Sequence, residues 1–282
     1  RGHGSGSTPL NTIMYTLDYT SADTAWDIDF ASFSGGSISV STETPSPQGL
    51  AMKPDGTKFY IADRSNDMIH QYTLLVPWDI TSALFTSSLD ISNENIDIRG
   101  IFFNDTGSKM FTSNSANDGI QQYTLSTSWD VSTGSFDNVS FGVAAEGTSP
   151  FGLYFKPDGT KMYTVEFGTD SVNQYSLSTA WDMTTASFDN KTFFVGDVDS
   201  QPVELFIKPD GTKMYIVGIT KDRVYQYTLS TPWDITTASY DSISLDISPQ
   251  GGIARSIYFK PDGTKFYIAE ISTLSVYEYD IE

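Results

Sequence analysis

Three glutamates and five tryptophan–aspartate pairs are the residues of this chain whose types and placement could do chemistry. Glu166, Glu204 and Glu270 are carboxylates of the kind that glycoside hydrolysis uses in pairs, one as general acid and the other as base or nucleophile. Trp26, Trp78, Trp129, Trp181 and Trp233 each precede an Asp. An indole can stack on the apolar face of a sugar while the adjacent carboxylate and hydroxyls take its polar groups, and repeated weak sites gain through multivalency. Asn93, Asn95 and Asp97, and likewise Asp197 and Asp199, set out alternating oxygen ligands of the type a calcium ion takes; no other cofactor is implied. The only histidines are His3 and His70, too few for a His-based triad or a His-rich metal site. The stretches Ser34-Gly35-Gly36-Ser37 and Gln250-Gly251-Gly252 precede strand patterns, so neither is a phosphate-binding loop.

A repeat must position these residues. The tryptophans are spaced by 52, 51, 52 and 52 residues. A second marker keeps the same period: Lys53-Pro54-Asp55-Gly56-Thr57-Lys58 recurs at Lys156 to Lys161, Lys208 to Lys213 and Lys260 to Lys265, and is altered to Asn104-Asp105-Thr106-Gly107-Ser108-Lys109 in the second unit. Self-similarity at this period signals a solenoid or a propeller. Within a unit the pattern is all β. Phe151 to Phe155 is a short apolar run, Asp158-Gly159 supplies a hairpin turn, Lys161 to Val165 is its partner, and Val172 to Leu177 and Ser187 to Val195 follow. The second strand is apolar on both faces, as a sheet covered on both sides requires.

The expected fold is therefore all-β: a five-bladed β-propeller with four antiparallel strands, A to D from the axis outward, in each blade. A linear β-solenoid fits the Asp-Gly hairpins less well. Residues 12–282 form one propeller, with units at 26–77, 78–128, 129–180, 181–232 and 233–282, and residues 1–11 read as a linker or an artificial leader. The last unit ends on a C strand and the first opens on a D strand near Phe30 to Val40. The N-terminal D strand should pair with the C-terminal A-B-C strands and close the ring. Ile13 to Leu17 looks like a surplus C strand that could lie on an outer edge, pair with another chain, or belong to a longer array.

The Phe-Lys-Pro-Asp-Gly-Thr-Lys-Met-Tyr stretch at Phe155 to Tyr163, with its counterpart at Phe259 to Tyr267, resembles the repeats of lactonase-like and surface-layer β-propellers. The longer repeat is similar to repeats of secreted bacterial and phage structural proteins. That resemblance implies the fold, and an extracellular, cell-surface or virion setting, without assigning an activity.

Residues that depart from the repeat are the informative ones. At the end of strand B the units carry Asp63, Asn114, Glu166, Gly218 and Glu270; strand A opens with Gln48, Arg99, Phe151, Val203 and Arg255, followed by Gly49, Gly100, Gly152, Glu204 and Ser256. These sets should converge on the channel mouth at the D-to-A face. Five-bladed glycosidases place a carboxylate trio there, although no motif around these glutamates matches theirs. The plainer reading has Arg99 and Arg255 neutralising the carboxylates. Five-bladed animal lectins resemble the Trp-Asp pattern in having one site per repeat; the plainer reading is a Trp that staples the C-to-D crossover and an Asp that caps backbone amides.

Composition narrows the classes of function. The formal charge is 16 − 35 = −19 with no cysteine, which argues against nucleic acid and anionic lipid and excludes disulfides and thiolate catalysis. No apolar run has the ~18 residues of a membrane span. The expectation is a non-enzymatic binding module that recognises a glycan or a protein, as a monomer or as a strand-exchanged oligomer. A structural or oligomerisation propeller, and a glycoside hydrolase, are the alternatives.

Overall fold

The computed structural model describes residues 24–94 and 96–282. The surplus strand at 12–18, the leader at 1–11, His3 and Asn95 lie outside them. Strand β1 (Ala31–Ser39) comes first, and four blades follow in chain order. Blade 1 is β2 (Pro47–Met52), β3 (Lys58–Asp63), β4 (Met68–Leu74) and β5 (Ala83–Asp90); blade 2 is β6 (Ile98–Phe103), β7 (Lys109–Asn114), β8 (Gly119–Leu125) and β9 (Gly134–Gly142). Blade 3 is β10 (Pro150–Phe155), β11 (Lys161–Glu166), β12 (Ser171–Leu177) and β13 (Ala186–Phe194); blade 4 is β14 (Pro202–Ile207), β15 (Lys213–Gly218), β16 (Arg223–Leu229) and β17 (Ala238–Asp246). Blade 5 joins β18 (Ala254–Phe259), β19 (Lys265–Glu270) and β20 (Ser275–Ile281) to β1. Ala31 faces Ile281 and Ser39 faces Ser275, which is the closure expected from the order of the strands.

Each innermost strand packs against its counterparts in both neighbouring blades, so the five form a ring around the axis. The second strands are buried on both faces; Phe59, Phe111, Tyr163, Tyr215 and Tyr267 are wholly enclosed. The outermost strands alternate half-buried with exposed, as a sheet edge in water should.

The Trp-Asp segment forms a short 3₁₀ turn between the third and fourth strands. Asp79, Asp130, Asp182 and Asp234 each accept the N–H two residues on, as the capping reading required. The preceding Trp adopts a left-handed backbone, with φ of 62° to 70°. Its N–H donates to the glycine carbonyl of the Asp-Gly turn in its own blade, as from Trp181 to Gly159 (3.1 Å), and its indole lies flat over that glycine. Each Trp therefore staples the two turns of its own blade, and its ring also packs on an aromatic of the preceding blade, as Trp129 does on Tyr60 and Trp181 on Phe111.

Hydrogen bonds to the same turns add to the contact between blades. Tyr60, Tyr163, Tyr215 and Tyr267 donate their hydroxyls to the Trp carbonyl of the following blade. In blade 1 Lys58 Nζ also donates to the Trp129 carbonyl beside Tyr60; in blade 2 Phe111 has no hydroxyl, and the equivalent Lys109 Nζ keeps the bond at 3.0 Å from the Trp181 carbonyl. Alongside, Gln71, Gln122, Gln174 and Gln226 accept from the first 3₁₀ N–H of the next blade, and Glu278 does so from blade 5 to Ile80 of blade 1. Each such bond contributes about 1 kcal/mol net and fixes the angle between blades.

The staple predicts a sharp contrast between glycines. Gly159 has φ +72°, and a Cβ there would sit 2.4 Å from the Trp181 ring, whereas a Cβ at Gly142 would meet nothing within 4 Å. Gly159→Ala should lower stability by roughly 2 kcal/mol or more and Gly142→Ala by under about 0.5 kcal/mol, read from urea midpoints. Equal midpoints for the two variants would refute the staple.

Candidate functional site

The inner edge of each innermost strand has no strand to pair with, and buried backbone amides there need other partners. Side chains provide them. Glu204 Oε1 accepts from Leu153 N–H (3.2 Å) and Leu205 N–H (3.0 Å), and Glu204 Oε2 accepts from Ser256 Oγ (3.0 Å). Ser256 Oγ in turn accepts from Leu50 N–H (2.9 Å), so one carboxylate and one hydroxyl join blades 3, 4, 5 and 1. Ser113 Oγ accepts from Gly100 N–H and donates to the Phe151 carbonyl, both at 2.7 Å, joining blades 2 and 3. Between blades 1 and 2 the backbones approach directly: a Cβ on Gly49 would lie 2.8 Å from the Arg99 carbonyl. Ser256 was among the residues that depart from the repeat; Ser113 was not singled out, although it too differs from the aligned residues of most other units.

Glu204 is almost wholly buried, and that burial pushes its carboxyl up to about 8 against the opposing pull of its hydrogen bonds. Glu166 and Glu270 lie elsewhere. They end the second strands, one strand outward from the axis, under the D-to-A loops, and do not converge on the channel as expected. Glu270 accepts from Ile253 N–H, Thr273 N–H and the Ser272 and Thr273 hydroxyls; burial works to raise its carboxyl, but these bonds outweigh it and hold it below the usual range. Asp63 caps the same loop and turn through Ser46 and Ser65, and Asn114 accepts from Ala116. In blade 4 Gly218 leaves the space, and Asp199 enters it to accept from Gln201 N–H (3.0 Å) and Tyr225 Oη (3.0 Å). Glu166 is the exception: Oε1 accepts from Thr164 at 2.6 Å, Oε2 has no partner, and burial reinforced by Asp118 and Glu146 raises it to about 7.

The remaining candidates are placed as follows. Asp97 binds Arg64 and Arg99, Asp197 and Asn93 are exposed, and Asp199 is occupied as above. No grouping of three or more acidic or histidine side chains able to hold a metal occurs among the described residues. Arg99 neutralises Asp97 and none of the three glutamates; it also lies 4.1 Å over the Phe151 ring. Arg255 has no hydrogen-bond or ion-pair partner among the described residues, and its Nε is enclosed. His70 is buried against Phe85, with Nε2 3.7 Å from Asp63.

An apolar cavity of about 280 Å³ opens at the other end of the channel, among the Asp-Gly turns. Its wall is a ring of edge-to-face aromatics, Phe102–Tyr154–Phe206–Tyr258, with centroids 5.2 to 5.7 Å apart. The fifth place holds Ala51, and the gap leaves Trp129 of the next blade lining the cavity, as Trp181 also does. Of the three glutamates, only Glu204 lines it. Salt-bridged Lys-Asp pairs crown blades 1, 3, 4 and 5, such as Lys53–Asp55 at 2.7 Å, while blade 2 presents Asn104 and Asp105.

No family model matches the chain, and no curated protein matches its sequence. Solved structures match its fold. A protein of Desulfotomaculum acetoxidans described as functionally unknown is 15% identical, with a TM-score of 0.50 over 79% of this chain and 78% of that one. A chain of a nidogen/laminin complex is 17% identical, with a TM-score of 0.50 over 83% and 76%. A Bacteroides uniformis protein provisionally assigned as a 6-phosphogluconolactonase is 15% identical, with a TM-score of 0.49 over 78% of this chain, which spans 63% of that protein's length. At these identities the likeness is one of propeller architecture alone.

The placement of Glu204 has a pH consequence. An unfolded glutamate releases its proton near 4.5 and the native one holds it to about 8, so the native state binds more protons across that interval. Glu204 therefore favours folding fully below about pH 4.5, and that contribution is lost as pH rises towards 8. Glu204→Gln, which keeps the acceptor for Leu153 and Leu205, should match the wild type at pH 5 and exceed it at pH 8.5 by an amount on the order of a few kcal/mol. Parallel urea midpoints for the two proteins between pH 5 and 8.5 would remove the assignment.

Proposed function

We propose that this chain is a non-enzymatic binding propeller that recognises a protein partner by taking up one large apolar side chain in the channel cavity of the Trp face. The observation that carries this reading is the interrupted aromatic ring. Four blades supply Phe or Tyr at one position and blade 1 supplies Ala51, so the cavity is a notch of defined place and not a symmetric pore. Its volume lies just below the roughly 300–1,000 Å³ typical of small-molecule sites and suits a single anchoring side chain. An apolar centre inside a rim of charged pairs is the anatomy of an interface hot spot.

The rim also suggests what flanks the anchor. Blade 2 lacks the Lys and Pro of the other turns and presents Asp105 without a Lys beside the notch, so a basic residue next to the anchor would be favoured, in keeping with the charge of −19. A glycan is supported less. The Tyr154 hydroxyl already donates to the Ile207 carbonyl at 2.6 Å, and Asn104, Asp105, Glu204 and the Tyr258 hydroxyl are the polar side chains left in the lining. Hydrolysis is supported less still, because the three glutamates share no cleft.

Selecting a displayed random-peptide library on the wild-type protein tests this. Enriched peptides should share an aromatic or large aliphatic residue beside Lys or Arg. They should lose about tenfold or more in affinity for Ala51→Phe, and for the smaller plug Ala51→Leu, with both variants checked for wild-type melting. Peptides indifferent to both plugs would exclude the notch. Glycan-array binding, with or without calcium, that survives the plugs would shift the function to sugar recognition.

A further inference from the structure

We infer that the opposite mouth of the channel, at the D-to-A face, is a binding site for a carboxylate, held by Arg255 with Arg99 at its side. This site stands apart from the cavity of the Trp face, at the other end of the innermost strands. Five residues open those strands: Gln48, Arg99, Phe151, Val203 and Arg255. Every innermost strand carries a bulge there, between Pro47 and Leu50 in blade 1 and between Ala254 and Ser256 in blade 5. Such a bulge re-aims a side chain out of regular sheet packing.

The two arginines differ in what they touch. Arg99 donates to Ser115 Oγ (3.1 Å), Gln48 Oε1 (3.2 Å) and Asp97 Oδ2 (2.9 Å), and stacks on Phe151. Arg255, half-buried, donates to nothing in the described structure, and its Nε is enclosed without a partner. Glu270, whose charge reaches it, is not within ion-pair distance and has both oxygens engaged by the loop and turn that it caps. The guanidinium is therefore left uncompensated, and the positive charges of Arg99 and Arg64 bear on it as well. Burial first, and those charges second, pull its affinity for a proton below the usual arginine range.

A partly buried guanidinium without a partner is costly unless a ligand supplies the counter-charge. Its forked donors match the two oxygens of a carboxylate. One free guanidinium suits a single negative charge; a polyanion would meet the repulsion of a chain whose formal charge is −19. The carboxylate could come from a small acid or from an acidic group on a larger ligand.

The test is thermal melting of the whole chain in sodium acetate against sodium chloride at equal ionic strength, with sodium sulfate as a third arm. Acetate should raise the melting temperature of the wild type by a few degrees relative to chloride, and Arg255→Met should abolish that rise. In chloride the Met variant should melt at or above the wild-type temperature, because it removes an uncompensated charge. A sulfate effect that persists in Arg255→Met is general salting-out and sets the baseline. Adding a peptide with a C-terminal carboxylate, and the same peptide amidated, separates the sources: a shift that needs the free carboxylate places the ligand on a larger molecule, and shifts from acetate alone place it on a small acid. An acetate effect unchanged in Arg255→Met, a larger Arg255-dependent shift with sulfate, or a Met variant that melts well below the wild type in chloride would each overturn the assignment.

Discussion

A ring of sheets leaves each blade with one strand edge facing the axis, and the amides on that edge must find partners in a space too confined for another strand. Most other features of the inner ring follow from this constraint. Glycine at Gly49, Gly100 and Gly152 lets adjacent backbones close to within contact, and where the residue is not glycine it is a hydrogen-bonding side chain, Glu204 or Ser256. A glutamate that looks catalytic by type is thus the acceptor that lets blades 3 and 4 meet. Its burial is required by that position, and its raised proton affinity is a by-product of the burial.

The periphery solves a related problem with the repeat itself. Within a blade, Trp over Gly joins the two turns; between blades, the same indole packs on an aromatic of the preceding blade, and a Tyr hydroxyl and a Gln carbonyl oxygen reach forward from that blade to the Trp-Asp turn. The same short segment therefore serves twice, once through its indole and once through its backbone. Blade 2 shows which part is essential: Phe111 forfeits the hydroxyl, and Lys109 keeps the bond. The aromatic position near the axis is less uniform: Tyr154 donates to the Ile207 carbonyl, Phe102 and Phe206 have no hydroxyl to give, and Ala51 leaves a notch.

The periodic part of this architecture was legible because its signals are local. Trp-Asp, Lys-Pro-Asp-Gly and the order of the strands gave the blades, the capped turns and the closure of β1 on β20. The roles of the carboxylates were not legible, since Glu204 acts on Leu153, Leu205 and Ser256, and its distant partners lie one repeat away in the chain. Glu166 and Glu270 were set at the channel because they vary between units, yet the ends of the second strands vary for a different reason: each closes its own loop with whichever acceptor fits, down to Asp199 filling the place vacated at Gly218. Ala51 was not singled out in the sequence, although aligning the repeats sets it as the one small residue against Phe102, Tyr154, Phe206 and Tyr258. Arg255 carried no sequence signal of its isolation, because having no partner is a property of three-dimensional surroundings.

The pairing of β1 with β20 has a consequence for how the ring comes apart. Ala31 faces Ile281 across almost the whole length of the chain, so this ladder is the least local contact in the molecule and closes the largest loop. Four blades can form from contiguous hairpins, while the fifth waits for two distant segments to meet. Force applied at the two ends of the propeller would load the bonds that dock Trp26 and Ile28 on blades 4 and 5, and then the β1–β20 hydrogen bonds, before those inside any other blade. The ring is thus a mechanical fuse, with every blade protected by the others until that one seam opens.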